Sequence, residues 1–159
     1  MRLLVDIGNT RTKYVYEQHG ELSGIQAIAN KNINEQWLVA ITTSVKKIIV
    51  ASVSEACLLD VFLQYVNQHE IEFLQVKSES QRFGVSSSYQ QPTTLGIDRW
   101  LTLLAANVKY NDENVLIVDA GTATTIDLLD RSGEHLGGWI LPGVDLLFNS
   151  LLLNTSKII

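Results

Sequence analysis

The sequence predicts an α/β protein of duplicated lobes, and three observations predict it. The first is a repeat: Leu3, Leu4, Val5, Asp6, Ile7, Gly8, Asn9 and Thr10 return as Leu116, Ile117, Val118, Asp119, Ala120, Gly121, Thr122 and Ala123. The offset of 113 that carries Asp6 onto Asp119 also carries Thr12 onto Thr125, Gly20 onto Gly133 and Glu21 onto Glu134. Self-similarity that keeps register beyond its own turn marks a duplicated unit. The second is the order of hydrophobic periods, in which strand-like runs give way to helical ones, implying a mixed sheet with helices packed on it. The third is length. The first copy is followed by residues enough for helix, strand, helix and strand, and the second by one helix, so the second lobe is expected to be incomplete. The expected lobes are residues 1–111 and 112–159.

Taken in order, residues 3–7, 12–16 and roughly 21–27 read as an antiparallel meander with a hairpin at His19-Gly20. Residues 34–43 place Trp37, Leu38 and Ile41 on one helix face. The β-branched run 48–51 reads as a central parallel strand. Ser54 is the expected N-cap of a helix over 55–67, whose Leu58, Leu59, Phe62 and Val66 share a face, and 71–76 is the next strand. Residues 83–92 lack a period and read as a loop, the kind of segment that carries substrate sites. A helix over 97–110 should bury Trp100, Leu103, Leu104 and Val108, and the polar connector 111–114 separates the lobes. The second meander follows at 115–119, 124–129 and 134–141, with a hairpin at Ser132-Gly133, and Pro142-Gly143 opens a last helix to about residue 154.

Composition narrows the function classes. Hydrophobic residues make up 46% of the 159, ample for a packed core. Seventeen acidic against twelve basic residues give a net charge of −5, and Lys46-Lys47 is the densest basic cluster, which argues against nucleic-acid binding. The apolar start is broken by Asp6, and no run approaches a membrane span, so neither a leader nor a membrane is expected. The single Cys57 excludes an intrachain disulfide, reads as a packed helix residue, and fits a reducing cytoplasm. His19, His69 and His135 share no spacing and read as solvated.

Four segments carry candidate chemistry. A carboxylate ending a buried strand is costly unless it meets cations or donors, so Asp6 and Asp119 read as ligand-facing groups, with a turn-capping Asx interaction as the alternative. Gly8 and Gly121 permit close approach, and Asn9, Thr10, Thr12, Thr122 and Thr124 offer donors without bulk, a combination suited to phosphate oxygens. Lys13 could add charge. Gly96, Ile97, Asp98 and Arg99 open a helix, where Asp98 could accept a proton from a hydroxyl nucleophile and Arg99 could grip an anionic group bidentately; compensation of the helix N-terminus is the plainer reading. The run Gly137-Gly138-Trp139-Ile140-Leu141-Pro142-Gly143 suggests close backbone approach or a bulge.

These blocks, with Tyr89 in the loop before Gly96, resemble the type III pantothenate kinase family, also called the Bvg accessory factor family. The motifs occur in the family's order along almost the whole chain. The resemblance implies a ribonuclease-H-like fold, the superfold of actin, sugar kinases and heat-shock ATPases, with ATP between two lobes. It implies ATP-dependent phosphorylation of pantothenate at its primary hydroxyl, the first step of coenzyme A synthesis. Carried over by motif, Asp6, Ile7, Gly8, Asn9, Thr10, Arg11, Thr12 and Lys13 would form the ATP phosphate loop, with Asp6 near Mg²⁺ and Thr122 touching ATP. Tyr89, Gly96, Ile97, Asp98 and Arg99 would line the pantothenate site, Asp98 would be the catalytic base, and Asp119 would bind a monovalent cation, K⁺ or NH₄⁺. A homodimer is implied, with the substrate site completed across its interface.

Family members run further through the second lobe, so weak or absent turnover is the expectation for residues 1–159 alone. Val144 to Leu153 is apolar over most of a helix circumference, which predicts self-association. A non-catalytic or regulatory member of the family is the rival reading. A sugar or acetate kinase of the same superfold shares the Asp-x-Gly turns but leaves the Gly96–Arg99 block unexplained.

Overall fold

The structure is a computed structural model that describes residues 1–54 and 56–154. The chain divides into two compact units, Met1–Lys77 and Ser78–Ile159, each taken here by itself.

In the first unit, β1 (Arg2–Ile7) runs antiparallel to β2 (Arg11–Gln18) and is the axis of a mixed sheet. The meander's third strand is split into β3 (Glu21–Leu22) and β4 (Gln26–Ala29), both paired with β2. The break falls at Ser23-Gly24-Ile25, where the Ser23 hydroxyl oxygen accepts the Tyr16 N–H at 3.0 Å and its own proton goes to Gly24 O. Helix α1 (Glu35–Thr42) starts at Asn34, whose side chain accepts the Trp37 N–H. Strand β5 (Lys47–Ser52) lies parallel to β1, helix α2 (Ala56–His69) follows, and β6 (Glu72–Gln75) pairs parallel with β5, giving the order β3-β2-β1-β5-β6. Alternation sends Leu3, Val5 and Ile7 to one face, where they pack with Leu38, Ile48, Val50, Phe62 and Val66. Tyr14, Trp37 and Phe62 continue that core edge to face, with centroids 5.5 and 6.3 Å apart. Cys57 is exposed on α2 rather than packed as expected, because the helix turns Phe62, Tyr65 and Val66 inward. Glu55, the expected first residue of this helix, lies outside the described residues.

The second unit begins with a hairpin where the sequence predicts a loop. Strands β7 (Gln81–Arg82) and β8 (Val85–Ser86) form a tight hairpin whose corner, Phe83-Gly84, has φ of 47° and 81°. Strands this short carry too few residues to show a period. Helix α3 (Ile97–Lys109) buries Ile97, Arg99, Trp100, Leu103 and Ala106. Leu104 is only half-buried and Val108 is exposed, so the buried stripe is rotated toward Arg99 from the one expected. Strands β9 (Val115–Ala120), β10 (Ala123–Leu129) and β11 (His135–Pro142) form an antiparallel sheet in the order β11-β10-β9, followed by α4 (Val144–Asn154). The expected exit from this helix, residues 155–159, lies outside the described residues.

The two meanders repeat with one difference. Asp6 pairs with Lys13 across β1 and β2, but Asp119 pairs with Thr125, where a constant offset of 113 would put Ile126. The second Asp-x-Gly turn is therefore one residue tighter, and the lost residue is made up in the 130–134 corner, so that Leu129 pairs with His135 as Glu17 does with Leu22. No helix among the described residues is long and apolar enough to cross a membrane.

Candidate active site

In the first unit, residues 6–13 make the end of β1, a turn and the start of β2. The Gly8 N–H donates to Arg11 O at 3.1 Å, and a Cβ at Gly8 would sit 3.0 Å from that same oxygen, so glycine allows the turn to close. Asn30 staples it: Nδ2 donates to Gly8 O at 2.8 Å, Oδ1 accepts from the Thr12 hydroxyl at 2.9 Å, and the backbone N–H donates to Thr10 O at 3.0 Å. Asp6, Asn9, Thr10, Arg11 and Lys13 are exposed, Gly8 is half-buried, and Ile7 and Thr12 are buried. The turn thus offers a carboxylate, an amide, a hydroxyl and two cations to solvent while its buried polar group is satisfied internally. Asn30 lies beyond the motif, and only its tertiary contact reveals it.

In the second unit, Asp119 occupies the next-to-last position of β9, as Asp6 does in β1. Both carboxylates are exposed: Asp6 lies on the face of β1 opposite Leu3, Val5 and Ile7, whereas Asp119 shares a face with Ile117 and, across β10, with Thr125 and Asp127, at the open end of the strand. The Gly121 N–H donates to Ala123 O and the Gly143 N–H to Thr122 O, each at 3.0 Å. A Cβ at Gly143 would stand 2.2 Å from Gly121 O, so the Pro142-Gly143 entry to α4 lies directly on the Asp-x-Gly turn. Close approach at Gly143 is therefore to the chain's own backbone.

Gly96 is the N-cap of α3, and a Cβ there would meet Asp98 Oδ1 at 2.6 Å. That oxygen accepts the Arg99 backbone N–H at 2.8 Å, which tucks the half-buried Asp98 against the helix start. Arg99 is buried. Its Nε and Nη2 donate to Asp127 Oδ2 and Oδ1 at 2.8 and 2.6 Å, a bidentate pair, and Nη1 donates to the Tyr89 hydroxyl at 3.0 Å. The fork expected to grip an external anion is therefore occupied by Asp127, whose hydrogen bonds hold the guanidinium above its ordinary pKa against the opposing effect of burial.

Asp127 accepts a further bond at Oδ1 from His135 Nε2 at 2.8 Å, and His135 Nδ1 lies 3.2 Å from Ser88 Oγ. The His135 and Tyr89 rings are near parallel, 6.0 Å apart. His135 was expected to be solvated and is fully buried, because β11 turns it under the hairpin: Ser86 N donates to Gly133 O at 2.9 Å, bringing 86–89 onto the 133–135 corner. Asp127 and His135 carry no motif of their own. The signal available in the sequence was Gly138, where a Cβ would stand 2.3 Å from Asp127 Oδ1 and 2.7 Å from Arg99 Nη2. The structure thus brings together Tyr89, Gly96, Asp98 and Arg99 in one unit, and Asp6 through Lys13 in the other. Among the described residues, no cluster of three or more His, Cys, Asp or Glu could hold a metal.

Residues 2–159 match the profile of the family described as type III pantothenate kinase. Over 158 residues the chain is 45% identical to a type III pantothenate kinase of Colwellia psychrerythraea and 38% identical to one of Pseudoalteromonas translucida. The matches cover 99% of this chain and 64% and 63% of those proteins, so the chain spans a little under two thirds of the length of these curated relatives. Among solved structures, a protein described as a 2-dehydro-3-deoxygalactonokinase from Sinorhizobium meliloti superposes with a TM-score of 0.58 at 11% identity, covering 98% of this chain and 58% of that one. The Aquifex aeolicus Ppx/GppA phosphatase superposes with a TM-score of 0.50 at 11% identity, over 94% of this chain and 55% of that one. Such likeness establishes the fold, the ribonuclease-H-like α/β class of actin, sugar kinases and heat-shock ATPases. With the profile match running through both Asp-x-Gly turns and the Gly96 helix start, the chain belongs to the type III pantothenate kinase family.

Proposed function

We propose that this chain carries the nucleotide- and pantothenate-binding residues of a type III pantothenate kinase, which transfers the γ-phosphoryl group of ATP to the primary hydroxyl of pantothenate. The observation that carries the reading is the start of α3. Gly96 makes room for Asp98, Asp98 lies half-buried in the first turn, and Arg99 joins it to Tyr89. The hydroxyl oxygen attacks the γ-phosphorus, its proton passes to the Asp98 carboxylate, and the bond from that phosphorus to the bridging oxygen breaks, releasing ADP. Tyr89, Ile97 and Arg99 shape and orient the acceptor's site.

The chemistry of the first turn fits a polyphosphate: exposed Asn9, Thr10, Arg11 and Lys13 supply donors and positive charge beside the Gly8 backbone, with Ile7 and Thr12 fixing the turn from within. Asp6 offers a hard oxygen for Mg²⁺, and Asp119 one for K⁺ or NH₄⁺, with Thr122 beside it on the nucleotide. These cations supply charge neutralisation for the phosphates. We take the connector 111–114 as the boundary between the repeats, a homodimer as the assembly, and the cytoplasm, where the exposed Cys57 thiol stays reduced, as the compartment.

The test is titration of the chain with pantothenate in the presence of an ATP analogue, with a sugar and a sugar acid as controls. ³¹P NMR with ATP, accumulated long enough to detect slow turnover, follows. Binding of pantothenate alone among the three, with a new phosphomonoester resonance, is expected. Selective binding of the sugar or sugar acid overturns the reading.

A further inference from the structure

Tyr89 and Arg99 rest on three polar side chains to which phosphoryl transfer assigns nothing: Asp127, His135 and Ser88. The first two are as deeply buried as any apolar residue of the core. Burying a charged pair and an imidazole gives little net stability over apolar side chains of the same volume, so packing alone does not account for them. Their bonds, however, have a direction. Asp127 meets Nε and Nη2 of Arg99 with its two oxygens, which fixes the guanidinium plane. The remaining nitrogen, Nη1, donates to the Tyr89 oxygen, so the Tyr89 O–H must donate elsewhere. The second bond to Asp127 Oδ1 requires a proton on His135 Nε2. In the neutral ring Nδ1 then accepts from the Ser88 hydroxyl, and the buried Arg99 and Asp127 charges balance. The His135 ring also lies parallel to Tyr89, so the tyrosine is held at its hydroxyl by Arg99 and along its ring by His135.

We propose that Asp127 and His135 are positioning residues: through a Ser88–His135–Asp127–Arg99 chain they hold the Arg99 Nη1 edge and the Tyr89 hydroxyl in the orientation that receives the hydroxy-acid acceptor. The substrate half of this proposal rests on the pantothenate reading; the geometric half does not. Asp127→Asn replaces one acceptor by a donor facing Arg99. His135→Phe keeps the ring and removes the Nε2 donor, and His135→Gln restores a donor.

The experiment measures two quantities on the intact chain. One is pantothenate affinity, alongside affinity for an ATP analogue. The other is solvent exchange of the Arg99 Nε–H by ¹⁵N NMR. Loss of a charge-assisted bond corresponds to a roughly tenfold or greater weakening of pantothenate binding in Asp127→Asn and His135→Phe, with nucleotide affinity unchanged, faster Nε–H exchange, and recovery in His135→Gln. Where Asp127→Asn fails to fold, Ser88→Ala at the exposed end of the chain takes its place, with the same pattern expected in smaller measure. Wild-type affinity and exchange in His135→Phe overturn the proposal, as does equal weakening of pantothenate and nucleotide. If the wild type binds no pantothenate, the functional reading fails by itself, and the positioning chain stands or falls on the Nε–H exchange in His135→Phe.

Discussion

A guanidinium buried as deeply as Arg99 is tolerable because each of its three nitrogens meets an acceptor, and the space for that arrangement is made by a residue with no side chain. Gly138 has an ordinary backbone conformation, yet a Cβ there would stand 2.3 Å from both Asp127 Oδ1 and Ile126 O. Gly138→Ala should therefore destabilise the chain by about 1–3 kcal/mol through overpacking, read as a lower urea midpoint, while Gly24→Ala, with open space around it, should leave the midpoint unchanged. Equal midpoints for the two would show that the network yields without cost. Asp98 sits where its own helix start supplies a backbone donor, which keeps its carboxylate oriented rather than consumed. Asp98→Asn keeps the shape and loses the basic lone pair, so a fall in kcat of about 10²-fold or more is expected, with pantothenate affinity kept. Near-normal turnover would remove Asp98 from the role of base. Asp119 differs in kind, being an exposed carboxylate beside a turn whose Thr122 carbonyl the Gly143 N–H already engages. We expect turnover to be faster in K⁺ than in Na⁺ and Asp119→Ala to abolish that difference; an unchanged K⁺ response in the variant places the cation elsewhere.

The two Asp-x-Gly strands are a controlled comparison within one chain. Leu3 and Val5 on β1 are 0% and 3% exposed, while their repeat partners Leu116 and Val118 on β9 are 63% and 58% exposed. Sequence and local geometry are nearly the same; what differs is cover, since α1 and α2 close over β1 and β5 pairs along its other edge. Leu3→Ala should then cost about 2–5 kcal/mol and Leu116→Ala less than about 0.5 kcal/mol, and thermal melts of the two variants check it. The same contrast explains what could be read beforehand. Period and repeat are local, so β1, β5, α3 and both meanders were legible from residue types alone. Burial is a property of what lies opposite, so Cys57, Val108 and His135 were each assigned to the wrong side. The β7–β8 hairpin was missed because two-residue strands have no period, although Phe83-Gly84 carried the turn. Tyr89, Asp98, Arg99 and the Gly8 turn are legible as motif, whereas Asp127 and His135, which serve Tyr89 and Arg99, and Asn30, which serves the Gly8 turn, come from distant positions that only folding brings near.

For the whole molecule, the unusual quantity is apolar surface. On α4, Val144, Leu146, Leu147, Phe148, Leu151, Leu152 and Leu153 are all exposed, and Leu116, Val118, Trp139 and Ile140 are exposed on the sheet before it. An ordinary surface helix hides one stripe and wets the other; this one presents apolar residues to water over most of its circumference. Contiguous surface of that kind marks an interface rather than a solvated face, and a net charge of −5 spread over 159 residues is too small to keep such faces apart. We therefore expect this chain to self-associate through α4 at micromolar concentration, in keeping with the homodimer proposed above. Phe148 and Leu152 are one helical turn apart and share a face. Sedimentation velocity should show a dimer or larger species for the wild type and a shift toward monomer when Phe148→Asp and Leu152→Asp are combined. Because both positions are already exposed, the substitutions remove no core contact, and the melting temperature should hold while the association falls. A wild type that sediments as a single monomer removes the expectation, and association that survives both aspartates moves the interface off this helix.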